Sequence, residues 1–216
     1  MTRKIIAFML TGILIFMISA CGTEISEKGQ AVVPLAKPVP SYKTIFQSTV
    51  FLGDSITEGL SYHDFLDEKN VKAGAGKTAE FSLAEDVDVL AARNPKHIFI
   101  MLGSDDILWP TENPQEYSLK HYKKLIQKIK DQIPQARVTI LSVTPVTEKA
   151  EEVEPRYKNI ADYNEGLKKF AEQEGLQFVD VSPLVQEKPD LYDTDGIHFK
   201  PEFYGLLLDF LKDRVQ

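Results

Sequence analysis

Two short segments carry side chains able to do chemistry, and they lie at opposite ends of the chain. Gly53-Asp54-Ser55-Ile56-Thr57 follows the apolar run Thr49-Val50-Phe51-Leu52. A serine on the turn from a buried strand into a helix can act as a nucleophile, because the free N–H groups of the helix start face a developing oxyanion. The same residue can also be a plain helix N-cap. Thr57 stands where the G-x-S-x-G elbow needs its second glycine, so the segment is not that elbow. Near the other end, Asp193-Thr194-Asp195-Gly196-Ile197-His198-Phe199 sets Asp195 three positions before His198. One local turn lets that carboxylate orient the imidazole. Serine, histidine and an orienting acid are the parts of a nucleophilic triad for acyl transfer. His63, His97 and His121 lack a comparable carboxylate-and-glycine setting and read as solvated surface residues.

Strands and helices must bring these segments together. Thr49 to Leu52, His97 to Leu102, Arg137 to Val143 and Leu176 to Val181 read as buried strands, with Asn70 to Ala73 a weaker candidate at a sheet edge. Between them, Leu83, Val87 and Leu90 predict one helix stopped by Asn94-Pro95. Tyr122, Leu125, Ile126, Ile129 and Ile133 form a second apolar stripe, and Ile160, Asn164, Leu167, Phe170 and Ala171 a third, with Gly175 at its C-terminal cap. Tyr204, Leu207, Leu208 and Leu211 place a last helix at the C-terminus. This alternation predicts an α/β fold with a parallel sheet of about five strands, covered on both faces. Ligands of such sheets bind beyond the carboxyl ends of the strands, where Ser55 falls.

Together the two segments resemble the SGNH, or GDSL-type, esterase and lipase family. Between them Gly103-Ser104-Asp105-Asp106 follows a strand, where that family has Gly-x-Asn-Asp. Order and spacing agree over residues 46–212. The resemblance implies a three-layer, flavodoxin-like α/β/α sandwich and a serine hydrolase that needs no cofactor or metal. By position, Ser55 is implied as nucleophile, His198 as general base and Asp195 as its partner. The implied oxyanion donors are the N–H of Ser55, the N–H of a glycine after the second strand, and the residue at position 105. Gly76 is the chosen glycine, since it closely precedes Thr78, which can cap the next helix; Gly74 is the alternative. Gly74-Ala75-Gly76-Lys77-Thr78 also ends like a phosphate loop, but the first glycine of G-x-x-x-x-G-K-[ST] would fall on Val71. Asp54, Gly103 and Asp106 are expected to support their loops.

Asp105 departs from the pattern. An asparagine amide donates a hydrogen bond, whereas an ionised carboxylate repels an oxyanion. Losing one such donor costs about 3–4 kcal/mol, or about 10²–10³ in rate. Three outcomes stay open: Asp105 is protonated by burial and by its neighbour Asp106, and donates; two backbone donors suffice for a slow enzyme; or the cleft only binds envelope glycan or lipid. Hydrolysis and acyl transfer differ only in the second nucleophile. Trp109 can line a cleft rim or simply pack, and Lys149 to Glu154 reads as a solvated loop.

The N-terminus reads as an address. Arg3 and Lys4 precede the apolar run Ile5 to Ile18, short for a membrane span, and Ile18-Ser19-Ala20-Cys21 resembles the bacterial lipobox. That implies a signal peptide over 1–20, a lipid on Cys21, and export of a domain held at the bacterial membrane. Residues 21–40 read as a lipid-anchored spacer and 41–216 as the hydrolase-like domain. Removing residues 1–20, which include Arg3 and Lys4, takes the formal charge from −7 to −9 and the length from 216 to 196. With 25 basic against 32 acidic residues, nucleic acid is a poor partner. The single cysteine excludes an internal disulfide and a cysteine-rich metal site. The expected partners are an ester substrate from the envelope or medium and the membrane itself.

Overall fold

The computed structural model describes residues 40–215. The proposed signal peptide, Cys21 and almost all of the spacer lie outside the described residues.

Five strands form one sheet: β1 (Thr49–Gly53), β2 (Val71–Ala73), β3 (His97–Met101), β4 (Arg137–Leu141) and β5 (Gln177–Val179). Their order is β2-β1-β3-β4-β5 and every pairing is parallel. This is the flavodoxin-like order, and chain direction across the sheet reverses at β1. Buried parallel strands read as unbroken apolar runs because both faces are covered. Every residue of β1 and β3 is buried.

Alternate side chains feed two cores. Val50, Leu52, Ile98, Ile100, Val138 and Ile140 pack with α3 (Ala79–Glu85), α4 (Val87–Arg93), α5 (Pro114–Gln132) and α7 (Ile160–Gln173). Phe51, Phe99, Met101, Leu141 and Val179 face α1 (Tyr42–Ile45), α2 (Ser55–Tyr62) and α8 (Pro201–Leu211). Each such fully buried side chain contributes about 1.5–3 kcal/mol of transfer free energy. The fold is therefore the three-layer α/β/α sandwich that the alternation of strands and helices predicts.

Local differences from the sequence reading have physical causes. The stripe through Leu83, Val87 and Leu90 is two helices, broken at the buried Asp86, whose carboxylate takes the Lys77 ammonium at 2.6 Å. Lys149 to Glu154 lies mostly in a short helix, α6 (Glu148–Val153), started by the Thr147 hydroxyl and seated on buried Ala150. His97 is buried rather than solvated: it sits on β3, bonds Thr139 at 2.8 Å and accepts from Arg137 at 3.0 Å. Burial, aided by the Arg137 charge, lowers its pKa to about 4, so it is a neutral core residue.

Candidate active site

Register decides which loops meet. Gly53 pairs with Ala73 on one side and with Met101 on the other. The segments beginning at Asp54, Gly74 and Leu102 therefore leave the sheet side by side at its carboxyl edge, at the topological switch point.

Ser55 is the first residue of α2. Asp54 is the N-cap, and its Oδ1 accepts from the Ile56 N–H at 3.0 Å. With the cap role taken by Asp54, the Ser55 hydroxyl is free for another partner. That partner is His198: Oγ lies 2.9 Å from Nε2. His198 Nδ1 lies 2.6 Å from Asp195 Oδ2. Burial works to raise the Asp195 carboxyl, but His198 and the backbone N–H groups of Ile197 and His198 hold it below the usual carboxylate range. An ionised Asp195 can only accept, so Nδ1 carries the proton and Nε2 is left to accept from Ser55.

The histidine loop is shaped by short-range bonds. Asp193 and His198 share a 2.8 Å backbone bond beneath an antiparallel bridge between Tyr192 and Phe199. Gly196, at φ +73°, donates to Asp193, and Thr147 donates to its carbonyl. A Cβ on Gly196 would lie 2.0 Å from the Thr147 hydroxyl, so only glycine fits this turn.

Two buried carboxylates lash the strand-end loops together. Asp54 Oδ2 accepts from Ser104 at 2.6 Å, joining the loops after β1 and β3. Asp106 Oδ1 accepts from the Ala79 N–H at 3.2 Å and from Ser118 at 2.5 Å, joining the loop after β3 to the start of α3. Burial raises Asp54 to about 7 and Asp106 to about 6. Gly103, at φ +142°, lets this loop pass Val143 and Tyr163, where a Cβ would come within 2.4 and 2.6 Å.

Asp105 has no such duty. Its Oδ2 is buried and has no hydrogen-bond partner. Burial raises its carboxyl, against the opposing pull of nearby His198. Gly76 sits at φ +74° in the turn after β2, with open space around it, and Gly74 accepts from the Lys77 N–H in the same turn. Trp109 packs against Tyr117 and edge-on to Phe81.

Several contributors escaped the sequence reading. Ser104, Ser118 and Tyr163 are ordinary residue types whose roles depend on partners far along the chain. Asn164 left a trace, as a polar residue in the apolar stripe of α7. Its side chain clamps the Val143 N–H and C=O at 2.8 and 2.9 Å. A cleft of about 200 Å³ opens beside Ser55 and His198, while a larger groove of about 990 Å³ between α5 and α7 contains neither. The chemistry locates the site in the smaller one. Among the described residues no group of three or more His, Cys, Asp or Glu side chains is placed to hold a metal ion.

A doubly covered parallel sheet with a serine, a histidine and a carboxylate in hydrogen-bond sequence at its carboxyl edge defines a carboxylic ester hydrolase of the α/β class. The chain belongs to the GDSL-like lipase/acylhydrolase family, whose model matches residues 51–206. Its fold is shared with a GDSL-like lipase from Bacteroides thetaiotaomicron, at 22% identity and a TM-score of 0.61 over 84% of this chain and 91% of that one. A lipase/acylhydrolase from Enterococcus faecalis matches at 15% identity and a TM-score of 0.57, covering 78% and 96%. A catalytic mutant of an acetylxylan esterase from Geobacillus stearothermophilus matches at 19% and 0.57, covering 76% and 92%. Comparison with curated protein sequences yields no match.

Proposed function

We propose that this chain is an exported, membrane-tethered serine esterase that hydrolyses short acyl esters through Ser55, His198 and Asp195. The observation that carries the reading is the continuous hydrogen-bond path from Ser55 Oγ through both imidazole nitrogens to Asp195. Ser55 attacks the ester carbonyl while Nε2 of His198 takes its proton. Asp195 holds the imidazole in the one tautomer that can accept and steadies the imidazolium that forms. The oxyanion develops at the N-terminus of α2, where the Ser55 N–H and the Gly76 N–H are its assigned donors, joined by Asp105 in its protonated form. His198 then returns the proton to the leaving alkoxide, the acyl group stays on Ser55, and water repeats the sequence to release acid and free serine.

A small cleft suits a small acyl or alcohol group, and the acetyl ester named for one protein of similar fold agrees with that scale. The lipobox-like Ile18-Ser19-Ala20-Cys21 supports export and a lipid on Cys21. A fluorophosphonate probe should label the chain on Ser55, and a panel of short acyl esters should be hydrolysed by the native chain and not by Ser55→Ala. Robust hydrolysis by that variant would overturn the assignment. An acid at position 105, where the resembled family has an amide donor, favours a second reading, a cleft that binds without turnover. Absence of labelling in folded protein would select it.

A further inference from the structure

The cleft beside the nucleophile has a chemical character of its own. It contains Ser55 and His198 but neither Gly76 nor Asp105. In ester cleavage the leaving oxygen takes its proton from the imidazole, so the alcohol portion lies on the imidazole side. On the imidazole side of Ser55, the cleft is positioned to take the alcohol portion.

Two exposed carboxylates line it, Glu58 from α2 and Asp193 from the histidine loop, and no lysine or arginine does. Among the described residues neither acid is engaged in an ion pair, and the Asp193 carboxylate accepts only from the adjacent Thr194 N–H, at 2.7 Å. The remaining wall is aromatic. Tyr62 is 82% exposed, its ring edge-on to His63 at 4.9 Å, and His63 lies 5.2 Å from the Tyr204 ring. A single exposed tyrosine is ordinary on a protein surface, but this one lines the cleft and so offers its ring to whatever occupies it. Aromatic faces and carboxylates both attract a cation, and a quaternary ammonium suits them best because it sheds water readily. The acidic balance of the whole chain, −7, draws cations toward the surface as well.

We propose that this cleft selects esters whose alcohol portion carries an ammonium group. The proposal rests on Ser55 being the nucleophile, and its test separates the two. Using the full chain in neutral detergent, kcat/KM is compared for acetylcholine, for its uncharged carbon isostere 3,3-dimethylbutyl acetate, and for an acetate ester bearing a sulfonate. At low ionic strength the cationic ester should exceed the isostere by about tenfold, with the sulfonate poorest, and added salt should narrow the gap. The cationic-to-neutral ratio should fall toward one in Glu58→Gln, an exposed position on α2, and fall further with Asp193→Asn. Equal rates for the cationic and neutral esters, or a ratio unmoved by Glu58→Gln and Tyr62→Ala, would overturn the proposal. If none of the three esters is hydrolysed, the nucleophile assignment fails and the cleft is judged by binding alone. In that case saturable choline binding to the native chain, weakened by Glu58→Gln, upholds the cation site, and no binding refutes it.

Discussion

Replacing Asp105 by asparagine changes one oxygen to an amide and leaves shape and position nearly intact. In the native chain the residue can donate to an oxyanion only while protonated. Its buried, unpartnered Oδ2 and its raised pKa, caused by burial against the opposing charge of His198, extend the protonated range upward. Asp54, Asp106 and Tyr157 also face it, and their own titrations are pushed up by its charge, behind the larger effect of burial. An amide in its place would donate at every pH. The ratio of variant to native activity should therefore be near one at low pH, reach about two when half the Asp105 population is ionised, and climb about tenfold per further pH unit. It should level off at about 10²–10³, the worth of one oxyanion donor, about 2.7–4 kcal/mol. The assay is kcat/KM on an activated acetate ester from about pH 5 to 9, with Ser55→Ala as the blank and Asp105→Ala beside it. Asp105→Ala, which neither donates nor repels, should equal or exceed the native chain at high pH and fall below it at low pH. A ratio that stays flat with pH, or an asparagine variant slower than native throughout, would refute the assignment of Asp105 as a donor.

Two further outcomes follow from the loops. Gly103→Ala places a Cβ against Val143 and Tyr163 at a backbone angle that disfavours side chains, so the urea midpoint should drop by the equivalent of about 2–4 kcal/mol and activity should fall as the Asp105 loop shifts; an unchanged midpoint would remove the steric argument. Asp54 and Asp106 hold protons in the folded chain up to about pH 7 and about pH 6, against 3.8 for the free side chain. Between those limits each acid makes the folded state bind more protons than the unfolded one, so each contributes stability that is lost as pH rises, on the order of 4 kcal/mol for Asp54 and 3 kcal/mol for Asp106. His97, lowered from 6.5 to about 4, acts in the opposite direction over the lower part of that range, so the test is the difference between two curves: in equilibrium unfolding from about pH 5 to 7, native stability should fall relative to Asp54→Asn, and a constant difference would contradict this.

The parts of the fold that were legible are those where one local signal decides. Val50 to Leu52 and Ile98 to Ile100 are apolar on both faces because helices cover both faces, and no competing structure tolerates such runs. Ser55, Asp195 and His198 stood out through their strand-end and loop positions together with the motif resemblance, since a serine at a helix start taken alone reads as an N-cap. What the sequence hid depends on distant partners. A continuous helix over Leu83 to Leu90 fits periodicity, and only the burial of Asp86 by the Lys77 ammonium breaks it. His97 looks like any solvated histidine until Thr139 and Arg137 arrive beside it from β4. The cleft walls, Glu58, Tyr62 and Asp193, look like surface residues from any helix or loop, because only the meeting of α2 with the histidine loop sets them around one space.

Three acids at the sheet edge divide their work by what they can bond. Asp54 and Asp106 each spend an oxygen or two on a neighbouring loop: one pins β1 to β3, and the other pins β3 to the start of α3. A carboxylate suits that task because it accepts from several donors at once, and the cost of burial is offset by those bonds. Asp105 incurs a similar cost and makes no compensating bond with its buried oxygen. Asp106 also keeps one buried oxygen, Oδ2, without a partner, but its other oxygen takes two donors, whereas no hydrogen bond among the described residues reaches the Asp105 carboxyl; of the three acids it is the one with no scaffold partner. The ester carbonyl oxygen, charged only in the transition state, is the partner that would complete it. On the proposed assignment of Asp105 as a donor, the acid at position 105 ties turnover to protonation, while the loops that aim it remain fixed.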